Sequence, residues 1–201
     1  MSGQLEADLE AMCGVWHDHL QAFDVRGGTV ADDPFGGVPG PFPYDNLVYI
    51  DYADGVYRQT NVTFAGRARH VRSFEATVAD GVLRFAALGP DAPRHIGISG
   101  GPGLIWFVAQ DWRSEGLARY AEPDLIRLVG DQRWRYTLLY RDGVVVRPML
   151  VEGQRVSTVT SVCHTLDPRG SSAPVHETRA ITHHYRSASS ADGQPTNMES
   201  Q

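Results

Sequence analysis

The sequence predicts an all-β fold, an antiparallel meander closed into a barrel of about eight to ten strands behind a short N-terminal helix. Three observations carry this. Asp-Gly dipeptides at 54–55, 80–81 and 142–143 each sit between two alternating apolar runs, and Asp-Gly accepts the positive φ angles of a tight hairpin turn. The runs are short and rich in valine, tyrosine, phenylalanine and isoleucine, as half-buried strands require. Beyond Gly14 no helical period recurs, so strands must pair with their sequence neighbours.

Taken in order, Leu5, Leu9 and Met12 form one apolar stripe at helical spacing, and Gly14 ends that helix. Val15–Asp24 reads as the opening strand. The first hairpin joins Asn46–Tyr52 to Val56–Phe64, the second His70–Val78 to Val82–Ala87, and the third Arg133–Tyr140 to Val144–Val151. His95–Ser99, Leu104–Trp112, Leu125–Val129 and Ser157–Thr165 supply further strands. The glycine-rich Gly97–Gly103 stretch reads as a flexible connection; it lacks the following helix that a nucleophile elbow or dinucleotide fold needs. Asp32–Pro43 holds four prolines and three glycines, a long irregular loop suited to a lid or an insertion. Residues 1–186 are expected to form one domain, with 187–201 a polar, disordered tail.

Composition narrows the chemistry. All 18 basic residues are arginine, against 24 acidic ones, for a net charge of −6 over 201 residues. Without lysine there is no Schiff base and no Walker-type phosphate loop. The acidic balance argues against nucleic acid as a partner. No apolar run is long enough to span a bilayer and no secretory signal opens the chain, so a cytoplasmic location is expected. Cys13 and Cys163 make no disulfide framework.

Gly14-Val15-Trp16 is a G-x-W element at the start of the first strand. It resembles the lipocalin (calycin) barrels, in which such a tryptophan plugs the closed end under an arginine from a late strand. Arg147 and Arg155 are the candidates for that arginine, and a guanidinium over an indole gains cation–π energy. Arg133-Trp134-Arg135-Tyr136, and the terminal Glu152-Gly153-Gln154-Arg155, resemble elements of the uncharacterised lipocalin-like family related to cyanobacterial bilin lyases. The resemblance implies a barrel that holds a small hydrophobic ligand, and for the lyases a chromophore.

Among chemistry-bearing residues, His17 and His19 share one strand face and could ligate a metal with a third group. If Trp16 points inward, both point outward, so no metal is assigned. Leu104, Trp106, Val108 and Gln110 share a face that, with Tyr57, Tyr136 and Tyr140, either lines a cavity for a planar or polyene ligand or simply fills the core. Arg58 lies on a strand, and Arg135 pairs with Glu152 as a wall contact or leaves Glu152 as an acid–base group. Glu152, Tyr49 and Arg135 are therefore the catalytic candidates, and Trp106, Gln110, Tyr57, Arg58, Tyr136 and Tyr140 the substrate-binding ones. The first reading is a cofactor-independent cyclase or isomerase acting on a hydrophobic intermediate of natural-product biosynthesis, working by preorganisation. The alternatives are a non-catalytic carrier of a small hydrophobic ligand and a bilin-lyase-like chromophore chaperone. Oligomeric state is left open, a homodimer included.

Overall fold

The computed structural model describes residues 2–31, 42–65, 68–86, 94–109, 123–141 and 144–158. Helix α1 (Ser2–Met12) precedes ten strands: β1 (Gly14–Ala22), β2 (Tyr44–Ala53), β3 (Val56–Ala65), β4 (Ala68–Ala79), β5 (Val82–Phe85), β6 (His95–Gly101), β7 (Leu104–Ala109), β8 (Asp124–Val129), β9 (Gln132–Arg141) and β10 (Val144–Ser157). Each strand pairs antiparallel with the next, and β1 pairs with both β2 and β10, which closes the barrel. Among the described strands, closure leaves none at a sheet edge.

The hairpins form where the dipeptides place them. Asp54 and Gly55 have φ of 52° and 76°, Asp80 and Gly81 of 55° and 71°, the paired positive values of a type I′ turn. Arg141 pairs with Val144 across the third. Two expectations change. Gly97–Gly101 belongs to β6, and its glycines accommodate packing: a Cβ on Gly97 would come within 2.9 Å of the Phe107 ring. The last strand does not stop at Val151 but runs through Glu152-Gly153 to Ser157; residues 159–165, the rest of the further strand expected there, lie outside the described residues. So do Asp32–Pro41, Gln110, Cys163 and the tail.

Side chains alternate across every strand, so the pairing register sorts them into two faces. Inside, Leu5, Leu9 and Met12 of α1 pack with Trp16, Val48, Ile50, Tyr57, Leu83, Ile105, Phe107, Ile126 and Leu128, stoppering one end. A second apolar cluster, Leu20, Ala22, Phe42, Tyr44, Met149 and Val151, lies further along β1, β2 and β10. Among the described residues no helix is long and apolar enough to cross a membrane.

Candidate functional site in the barrel interior

The closed end is built around Trp16. Its indole is fully buried, and Nε1 donates to the Met12 carbonyl at 2.8 Å. Two guanidiniums stack on the ring, Arg155 at 4.6 Å and Arg133 at 4.8 Å from its centroid. Arg155 also donates to the Ala11 and Cys13 carbonyls at the end of α1 and pairs with Asp131 at 2.9 Å. A cation on those carbonyls satisfies acceptors that a helix C-terminus leaves open and complements its dipole. Of the two candidate arginines, then, Arg155 covers the tryptophan; Arg147 is buried elsewhere, 5.7 Å over the Phe42 ring.

Between the two apolar clusters runs a polar belt that residue spacing had not marked as a site. Asp18, two positions from Trp16 and so on its face, accepts a bidentate pair from Arg133: Nε to Oδ1 at 3.0 Å and Nη2 to Oδ2 at 2.7 Å. Both side chains are buried, at 0% and 1% exposure. Arg135 donates through Nε and Nη2 to Asp124 and reaches Asp18 at 3.6 Å, while the Thr137 hydroxyl donates to Asp124 at 3.2 Å. Removal from water disfavours the Arg135 cation, but the Asp124 and Asp18 carboxylates outweigh this and raise its pKa. On β3 the buried Tyr57 hydroxyl donates to Gln59, whose amide donates to Asn61 at 2.8 Å. Burial raises the Tyr57 pKa, only partly countered by Arg133 and Arg135, so its phenol stays protonated. The Tyr57, Phe85 and Phe107 rings meet edge to face, at centroid separations between 5.1 and 6.4 Å.

Gly153 makes the belt possible. It pairs with Asp18 on β1 and Arg133 on β9, at the same level of the sheet. A Cβ there would stand 2.5 Å from Asp18 Oδ1 and 2.6 Å from Arg133 Cγ. The ion pair occupies the space a side chain would take.

The expected site residues divide between the faces. Tyr57 and Arg135 are inside, in the belt. Trp106 is exposed, because Ile105 and Phe107 take the inward positions of β7; the expectation that its face lines the cavity is corrected. Tyr136 is likewise exposed, and Tyr140 follows it on the outward register of β9. Glu152 is an exposed outer-face residue level with His19 and Trp134, so the Glu152–Arg135 pair does not form; Arg135 pairs with Asp124 instead. Arg58 points outward to Glu75 at 3.2 Å. Tyr49 is buried but on the outer face, level with Val15 and Thr60, since Val48 and Ile50 hold the inner positions. His17 and His19 are outward as expected, near Asp45 Oδ1 at 3.6 and 3.0 Å. No group of three potential metal ligands among the described residues is arranged to hold an ion.

A closed ten-strand meander, stoppered by a helix and by a tryptophan under an arginine, is a lipocalin-like barrel, and the comparisons agree. The S-type phycobiliprotein lyase CpeS from Guillardia theta superposes with a TM-score of 0.55 at 12% identity, over 76% of this chain and 92% of that one. A DUF3598-family protein of unknown function from Nostoc punctiforme PCC 73102 gives 0.53 at 18% identity over 74% of this chain. The match spans about half, 48%, of the Nostoc chain. The chain thus shares its fold with both. No family model and no curated protein matches the sequence.

Proposed function

We propose that this barrel holds a ligand instead of transforming one: a chaperone or carrier for a linear tetrapyrrole or a similarly long, conjugated, carboxylate-bearing molecule. The observation that carries the reading is the chemistry of the interior belt. The belt's carboxylates, Asp18 and Asp124, are tied to Arg133 and Arg135, which leaves neither free to shuttle a proton. Glu152, the acid–base candidate of the cyclase reading, faces solvent outside the wall. What remains is a surface for recognition. Aromatic rings (Tyr57, Phe85, Phe107) adjoin amide groups (Asn46, Gln59, Asn61) and guanidiniums, which suits a flat apolar body with acidic arms. The shared fold with a phycobiliprotein lyase supports the same reading.

By register, Asn61 pairs with Arg72 and Gln59 with Phe74, so these β3 and β4 residues share the inward face. Arg72 is nevertheless exposed, and Asn61 and Phe74 only half-buried. This stretch of the inner wall keeps contact with solvent, a route for a ligand to enter.

Titration of the protein with biliverdin, followed by visible absorption and circular dichroism, tests the proposal. The expected result is a saturable change of the long-wavelength band, induced dichroism, and recovery of the pigment chemically unchanged. Absence of any spectral response at high micromolar protein would overturn it, as would steady conversion of the pigment to a product.

A further inference from the structure

We propose that the outer face of β8, β9 and β10 is an interface through which two copies of this chain form a symmetric dimer. At one level of the sheet Ile98, Trp106, Leu125, Tyr136 and Leu150 stand side by side on β6 to β10, each in register with the next. On the adjoining level the row reads Leu104, Arg127, Trp134, Glu152. Trp106, Trp134 and Tyr136 are 43%, 37% and 46% exposed. Two tryptophans and a tyrosine on one contiguous apolar face are what protein interfaces enrich. On the outside of β1–β3, by contrast, Val15, Leu47, Tyr49 and Val62 are buried within the single chain. One outer apolar face is covered and the other is open.

The charges on the open face select a second copy as the occupant, and select its orientation. Arg127 and Glu152 flank Trp134 from the neighbouring strands in the same row, each about 4.8 Å to one side of β9. A two-fold axis lying along β9, between the copies, brings Arg127 of one copy over Glu152 of the other, twice. It sets Leu125 over Leu150, and Trp134 and Tyr136 against their own counterparts. An axis running across the strands would place Arg127 on Arg127 and Glu152 on Glu152, which like charges oppose. The face is thus self-complementary in one arrangement, as an isologous contact requires. Arg127 donates one hydrogen bond, to the Pro102 carbonyl at 2.9 Å, and Glu152 has no ion-pair partner among the described residues.

Sedimentation velocity on the full chain, from low to several hundred micromolar, tests the proposal. The wild type should sediment as a dimer at the upper end. Arg127→Glu and Glu152→Arg should each raise the dissociation constant about tenfold or more, and the double exchange should restore association. Trp134→Ser, which alters no charge, should also abolish the dimer while circular dichroism shows an intact barrel. A monomer at every concentration overturns the proposal. So does a dimer indifferent to all three single variants, or a double exchange that restores nothing.

Discussion

Replacing Gly153 by alanine isolates the central packing decision of this barrel. The backbone at Gly153 is not in the left-handed region, so alanine brings no conformational strain; by itself the change should stabilise by about 0.4–1 kcal/mol through the unfolded chain. Against this stands the Cβ, 2.5 Å from Asp18 Oδ1 and 2.6 Å from Arg133 Cγ, with the Arg133 Nε at 3.0 Å. Neither neighbour can swing away freely, because Asp18 and Arg133 hold each other through two hydrogen bonds and Arg133 also lies on Trp16. Either the strand moves, an overpacking cost of about 1–3 kcal/mol, or the pair parts, and breaking a buried ion pair costs about 3–5 kcal/mol. The cheaper route sets the outcome, so after the gain through the unfolded chain the net expectation is a loss of about 1–2 kcal/mol, a fall in Tm of roughly 2–8 °C for a chain of this size. Thermal unfolding followed by circular dichroism measures it. The same substitution in an Asp18→Ala, Arg133→Ala background should be nearly neutral, since the atoms it strikes, Asp18 Oδ1 and Arg133 Cγ and Nε, are gone. An unchanged or raised Tm for Gly153→Ala alone would refute the argument.

Other expectations follow from the same geometry. Tyr57 has its pKa raised by burial, so its stabilising protonation is fully present below about pH 10, the unfolded value, and is lost as pH climbs beyond it. Tm measured between pH 8 and 11 should therefore fall less steeply above pH 10 in Tyr57→Phe than in wild type; parallel curves would contradict the assignment. Arg155→Lys should cost about 2–3 kcal/mol in chemical denaturation, because an ammonium cannot stack on Trp16 and also reach the Ala11 and Cys13 carbonyls; a variant as stable as wild type would show that the fork geometry is dispensable. Trp106→Ala should leave the affinity for an interior ligand within about twofold of wild type, because the ring lies outside the wall. A larger loss in the same pigment titration would return Trp106 to the site.

How far the sequence could be read depended on which physical signal each feature rests on. Turns and strands are local: Asp54-Gly55 and Asp80-Gly81 state their own backbone angles, and the strands between them follow. The Trp16 plug was legible for the same reason, through Gly14 and the short helix before it. Facing is not local. Alternation says that Leu104, Trp106 and Val108 share a side but not which side, and hydrophobicity misleads when the outer face is also apolar. The outer row through Trp106 and Tyr136 is as aromatic as the interior cluster of Tyr57, Phe85 and Phe107, so alternation alone points to the wrong face for the cavity. One signal could have decided it. With Trp16 taken as inward, Asp18 is inward too, and a buried carboxylate demands a cation; Arg133 and Arg135, on one face of a later strand, were the arginines available in an inward pair.

That demand also explains why the chain departs from a plain hydrophobic barrel. Replacing Asp18, Arg133, Arg135 and Asp124 together by apolar residues of similar volume would be neutral or stabilising, since buried ion pairs rarely outdo a packed core. Their arrangement does something a packed core cannot. It places guanidiniums at fixed positions, held by carboxylates on β8 and, across Gly153, on β1, beside aromatic rings and amides on β3, β5 and β7. Lysine-free composition becomes meaningful here: the bidentate Arg133–Asp18 contact and the stacking of Arg133 and Arg155 on Trp16 both need a planar, delocalised cation. An interior built this way holds its polar groups in ion pairs and hydrogen bonds of its own, and on the proposed function such preorganised groups would let the barrel bind a flexible conjugated molecule in one conformation without ordering itself at the same time.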